Sequence, residues 1–106
     1  MRDGTYHYAI RLHAPIGLRY GMLELCIQDR TVSGALTMFS QTHPITDVCL
    51  QDGKLCFGGQ MQTLLYFLPY RARGTVDAGR VELELRTEKG CFRAEGSVDL
   101  EKEKPV

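Results

Sequence analysis

Leu50-Gln51-Asp52-Gly53-Lys54-Leu55 restricts the fold of this chain more than any other stretch. An Asp-Gly pair between alternating apolar residues signals a hairpin. A two-residue turn of the I′ form needs positive φ at both central positions, and Gly adopts it without steric cost. The same shape, two apolar residues five apart around polar turn chemistry, returns at Ile27–Val32 and at Val76–Val81. Closing these hairpins sets Ile27 opposite Val32, Leu25 opposite Gly34 and Leu23 opposite Leu36. It also sets Leu50 opposite Leu55, Val48 opposite Phe57, Val76 opposite Val81, Gly74 opposite Leu83 and Ala72 opposite Leu85. Every partner is apolar or small, as a sheet with one buried face requires.

Period-two patterning runs through most of the remaining chain. Residues 4–13 put Tyr6, Tyr8, Ile10 and Leu12 on one face and Thr5, His7, Arg11 and His13 on the other, which predicts a half-buried strand. Ala14-Pro15-Ile16-Gly17 predicts a turn. Residues 18–28 predict a second strand, with Leu23, Leu25 and Ile27 inward and a bulge at Gly21 where the alternation slips. Polar residues 40–44 read as a loop before a strand over 45–51, and Gly58-Gly59 as a bend or barrel corner. Residues 64–68 are apolar on both faces. Counting back from Tyr70, Ala72, Gly74 and Val76 puts Leu64, Tyr66 and Leu68 inside and Leu65 and Phe67 outside. After a turn at Glu88-Lys89-Gly90, the last strand points Phe92, Ala94, Gly96 and Val98 inward. The chain is thus expected to be all-β, an antiparallel up-and-down meander of about eight strands closed into a small barrel. A two-sheet sandwich is the alternative. The expected organisation is one barrel domain over residues 1–99 and a charged flexible C-terminal tail over 100–106.

A chain of 106 residues buries roughly 65% of its extended-state surface and needs neither metal nor disulfide to fold. Its 13 basic and 13 acidic residues balance, so no clustered positive charge points to nucleic acid or an anionic membrane. Near-zero net charge also removes one barrier to self-association. No apolar run approaches the ~20 residues of a membrane helix, and Met1-Arg2-Asp3-Gly4 opens no apolar leader. These features predict a cytoplasmic protein with Cys26, Cys49, Cys56 and Cys91 as free thiols.

Gly4-Thr5-Tyr6, Pro15-Ile16-Gly17, Leu23-Glu24-Leu25, Gly53-Lys54-Leu55-Cys56-Phe57, Val76-Asp77-Ala78-Gly79 and Gly96 follow one another in an order that resembles the short calycin-like (lipocalin-like) barrel domains. The resemblance spans nearly the whole chain and rests on turn and core residues. It implies a small antiparallel β-barrel of unknown function, with no agreed activity to carry over.

Candidate chemistry is sparse. His7 and His13 share a face but stand roughly 20 Å apart at ~3.3 Å per residue, too far to share a metal. Ser40, His43 and Asp47 lie close in sequence and outline a hydrolase-like site at the barrel mouth. No nucleophile elbow, phosphate loop or metal motif accompanies them. No catalytic residue, metal or cofactor is therefore assigned. Cys49 and Cys56 flank the Asp52-Gly53 turn symmetrically and should face each other. On the outer wall Cys49, Cys56, Leu65 and Phe67 make an apolar face of the kind that marks contact sites. Burying roughly 300 Å² of it, at ~25 cal/mol per Å², contributes on the order of 7 kcal/mol before association costs. A homo-oligomer, a dimer first, is expected through it. A monomer is expected if a bulge at Gly58-Gly59 turns Leu65 and Phe67 inward. Inside, Tyr6, Tyr8, Met38, Phe57, Tyr66, Tyr70 and Phe92 line either a pocket for a small apolar ligand or a packed core with hydroxyls at the rim. Arg71, Arg73 and Arg86 share an outward face with Glu82 and Glu84, which reads as solvated mixed charge. The functional expectation is a non-enzymatic, self-associating barrel that holds a small ligand. An accessory or protein-interaction module with a filled core, such as a partner of an oxidoreductase, is the alternative.

Overall fold

The computed structural model describes residues 2–15, 17–62, 65 and 67–98. The expected tail over 100–106 lies outside the described residues. Nine strands follow one another: β1 (Gly4–Ala14), β2 (Gly17–Gln28), β3 (Thr31–Met38), β4 (Gln41–Pro44), β5 (Thr46–Gln51), β6 (Lys54–Gln62), β7 (Phe67–Val76), β8 (Arg80–Thr87) and β9 (Gly90–Ser97). They form one antiparallel sheet in the order β4-β3-β2-β1-β9-β8-β7-β6-β5. The pairing of β1 with β9 brings the first and last strands together.

Nine up-and-down strands cannot all pair antiparallel around a closed wall, because adjacent directions must alternate. The region of β4 and β5 removes the difficulty. β4 pairs with β3 from Met38–Gln41 to Ala35–Pro44. The Ile45 N–H then donates to the Gly34 carbonyl at 3.0 Å. β5 pairs with β6 instead. Residues 41–51 therefore act as one stave that changes partner at Ile45, whose side chain is buried. Eight staves result, and the barrel is nearly closed. Its Cα envelope is flattened, at 38 × 36 × 19 Å, so opposite walls bring their side chains into contact.

The hairpin registers at 23–36 and 72–85 follow the apolar pattern residue for residue. Four local expectations need correction. Residues 41–44 are strand, not loop. Phe39 and Ser40, at φ 54° and 62°, form a two-residue turn, and the Thr37 and Thr42 hydroxyls hydrogen-bond across the pair at 2.8 Å. The β5–β6 ladder holds at Leu50–Leu55 and Cys49–Cys56. It then shifts before Thr46–Gly58, at Asp47 with φ 52°, so Val48 is not the ladder partner of Phe57. No bulge occurs at Gly21, since β1 and β2 stay in register from Gly4–Ile27 to Ala14–Gly17. Nor does β6 bend at Gly58-Gly59, because its register with β7 is unbroken and the Tyr70 ring covers Gly59.

The core comes from alternate side chains of every long strand, including Tyr8, Ile10, Leu12, Leu23, Leu25, Leu36, Leu55, Phe57, Tyr70, Val81 and Leu83. Gly34 and Gly74 fall at inward positions where neighbouring backbone presses close. A Cβ at Gly34 would strike the Glu24 carbonyl, and one at Gly74 the Glu82 carbonyl. These contacts let the sheet coil tightly enough to close.

Candidate functional site

Tyr8, Leu23, Leu25, Leu55 and Phe57 have no solvent-accessible surface, so no void that admits water adjoins them. Phe57 packs edge-on to Tyr70, with centroids 6.0 Å apart and planes at 89°. The hydroxyls reach the rim. Tyr8 donates to the Asp77 carbonyl at 2.6 Å and Tyr6 to the Arg2 carbonyl at 2.7 Å, both at one end of the barrel. Burial, the Asp77 carboxylate and Tyr6 push the Tyr8 phenol up to about 12, and burial also raises Tyr70. Met38 is buried near the other end and Phe92 packs half-buried against the core. Tyr66 lies outside the described residues. The lumen positions drawn from the alternation are therefore occupied by mutually packed side chains.

The two ends of the barrel differ in chemistry. Alternation of direction puts the turns at 29–30, 52–53 and 77–79 together, and those at 39–40 and 88–89, with the end of β1, the start of β2, the end of β6 and the start of β7, at the opposite end. The first group is polar. The Asp29 backbone N–H donates to the Asp3 carboxylate at 3.2 Å. The Asp77 Oδ1 accepts the N–H groups of Gly79 and Arg80 at 2.8 Å. The second group carries every exposed large apolar side chain among the described residues: Leu18 (39%), Tyr20 (68%), Leu65 (87%) and Phe67 (55%). His43, the β4 partner of Leu36, meets the Phe67 ring edge-on at 6.3 Å. Its Nε2 is buried without a hydrogen-bond partner.

The expected apolar face divides accordingly. Leu65 and Phe67 are exposed at the end of the barrel where β6 finishes and β7 begins. Cys49 and Cys56 are ladder partners near the other end of β6. Cys56 lies six residues from Gln62, the partner of Phe67, roughly 20 Å at ~3.3 Å per residue. Leu18 and Tyr20 are exposed at the same end, beyond the residues of the expected face. The signal that finds them is the alternation itself, carried through Gly21 without a slip. Arg71 sits on the wall between the two regions, 3.6 Å from Asp47. Cys26 and Cys56 are partly covered, Cys49 and Cys91 exposed, and all four are free.

Ser40, His43 and Asp47 do not form a relay. Ser40 turns the β3–β4 hairpin, Asp47 pairs with Arg71, and His43 Nε2 bonds to nothing. His7 pairs with Glu24 at 2.9 Å and His13 with Glu95 at 3.2 Å, each on the outer wall. Arg11 and Arg93 also approach Glu95. The His13 hydrogen bond, more than the nearby guanidinium charges, lowers the Glu95 carboxyl below its ordinary value, against a smaller opposing effect of burial. Among the described residues no group of three or more His, Cys, Asp or Glu side chains is placed to hold a metal ion. Comparison with protein-family models, with curated proteins and with solved structures returns no match for this chain.

Proposed function

We propose that this protein is a short calycin-like barrel with a filled core that works by association, first with a second copy of itself, through the end bearing Leu18, Tyr20, Leu65 and Phe67. The observation that carries the reading is the polarity of the barrel. Among the described residues, the four large apolar side chains left exposed border one end, while aspartate turns ring the other. Isolated exposed apolar residues are ordinary, but their confinement to one end is the pattern of a contact surface. A two-fold pairing of like ends buries the same patch on both copies, the commonest arrangement of small homo-oligomers. With no net charge, the copies do not repel. A zero-accessibility core favours association over ligand carriage as the main activity.

Sedimentation velocity across a concentration series tests this. The parent chain should sediment as a dimer, Phe67→Glu as a folded monomer, and Lys54→Glu, at the polar end, as the parent does. A parent that stays monomeric at every concentration, or a Phe67→Glu dimer as stable as the parent's, would refute the proposal.

A further inference from the structure

Cys49 on β5 and Cys56 on β6 are direct ladder partners, and both thiols are free. Gln51–Lys54 closes the two-residue Asp52-Gly53 turn. Pair types alternate from there, so Cys49–Cys56 is a hydrogen-bonded pair with Cα atoms about 5.5 Å apart. A disulfide spans that separation. β5 is an end strand of the sheet, bonded to β6 alone, so it can yield by the small shift a sulfur bridge asks for.

Cys56 also lines a groove of about 270 Å³ on the outer wall with Arg71, Arg73, Glu84 and Arg86. Arg71 and Arg86 face each other across β7 and β8. Like charges placed directly opposite destabilise a sheet unless an anion joins them. Glu84 answers Arg73 at 3.8 Å, which leaves Arg71 and Arg86 to give the groove its excess of positive charge. Asp47 meets Arg71 only through well-exposed side chains.

We propose that Cys49 and Cys56 form a redox-active dithiol and that the arginine groove seats a small anionic disulfide of the glutathione class. The thiolate is the attacking species in such exchange. The Cys56 sulfur, its proton lost to solvent, attacks one sulfur of the bound disulfide. A mixed disulfide forms on Cys56, and one glutathione leaves as thiolate and takes up a proton. The Cys49 sulfur, likewise deprotonated, then attacks the Cys56 sulfur. The Cys49–Cys56 bond forms and the second glutathione leaves. The protein dithiol is oxidised by two electrons and one glutathione disulfide is reduced to two thiols. The product staples the end strand β5 to β6. This site is separate from the apolar end, so its failure would leave the association reading untouched.

The full chain is incubated with oxidised glutathione and mapped by peptide mass spectrometry. The parent should yield an internal 49–56 link with loss of two hydrogens. Cys49→Ser should stop at a stable glutathione adduct on Cys56. In that background Arg71→Gln with Arg86→Gln should slow adduct formation roughly five- to tenfold at low salt, and leave reaction with uncharged hydroxyethyl disulfide unchanged. Equal labelling of Cys26, Cys56 and Cys91, or arginine variants that react with glutathione disulfide at the parent rate, would overturn the proposal.

Discussion

Truncating Phe57 to alanine separates a filled barrel from a hollow one. The ring has no accessible surface and stands edge-on to Tyr70 at 6.0 Å. Removing it from a packed interior costs about 3–5 kcal/mol, transfer and cavity together, of which about 1 kcal/mol is the ring pair. A domain of this length has roughly 5–15 kcal/mol in all, so the variant stays folded but near its limit. At about 4 °C per kcal/mol the midpoint should fall by about 12–20 °C. Urea titration of parent and variant, followed by tyrosine fluorescence, gives the difference directly. The vacated space is apolar and should stay dry, so benzene should stabilise the variant and leave the parent unmoved. A loss below about 1.5 kcal/mol, well under the range for a packed phenylalanine, would refute the reasoning. So would benzene stabilising the parent as much as the variant. Either result would mean that Phe57 already borders open space, and the pocket reading of Tyr6, Tyr8, Met38, Tyr70 and Phe92 would return.

Other perturbations probe the wall and the rim. Gly74→Ala drives a methyl into the Glu82 carbonyl on β8 and should cost about 1–3 kcal/mol in urea unfolding; a neutral result would show that the sheet relaxes there freely. Tyr8 is protonated more tightly folded than unfolded, with its value raised from 10.0 to about 12, so its contribution is complete below pH 10 and lost as pH rises towards 12. Tyr8→Phe should reduce that alkaline loss, the buried Tyr70 retaining its share, and cost about 1 kcal/mol at neutral pH through the missing bond to Asp77. Glu95 has the opposite sign. Its lowered folded value stabilises above the ordinary 4.5 and the benefit fades as pH drops through and below it, so Glu95→Gln should flatten the acid limb of the stability profile.

Reading the chain alone succeeds where structure is local. The I′ turn at Asp52-Gly53 and the alternation on either side of Asp29-Arg30 and Ala78-Gly79 place Leu23 opposite Leu36 and Ala72 opposite Leu85, because a one-residue slip would turn each apolar set to water. The outward set of Phe67 and Leu65 follows from the same count. The errors fall where a neighbour outvotes the local pattern. Gly58-Gly59 looks like a corner in sequence, but a ring from β7 occupies the space, so β6 runs straight. Gly21 looks like a slip, but it is a lumen position closed by Met38 and the Thr37 carbonyl. The segment 41–44 looks like a loop because it is short, polar and ends in Pro, but the turn is made by Phe39-Ser40 and the segment pairs with β3 along its whole length.

Periodicity and turn chemistry thus settle that this chain is an antiparallel meander and which side chains of most strands face inward, since both act between residues a few positions apart. That the meander closes as a barrel, and where the stave over 41–51 changes partner, depends on how eight staves meet around one core. Only that closure packs the lumen from every side, and so leaves Leu18, Tyr20, Leu65 and Phe67 exposed on the outer wall of one end.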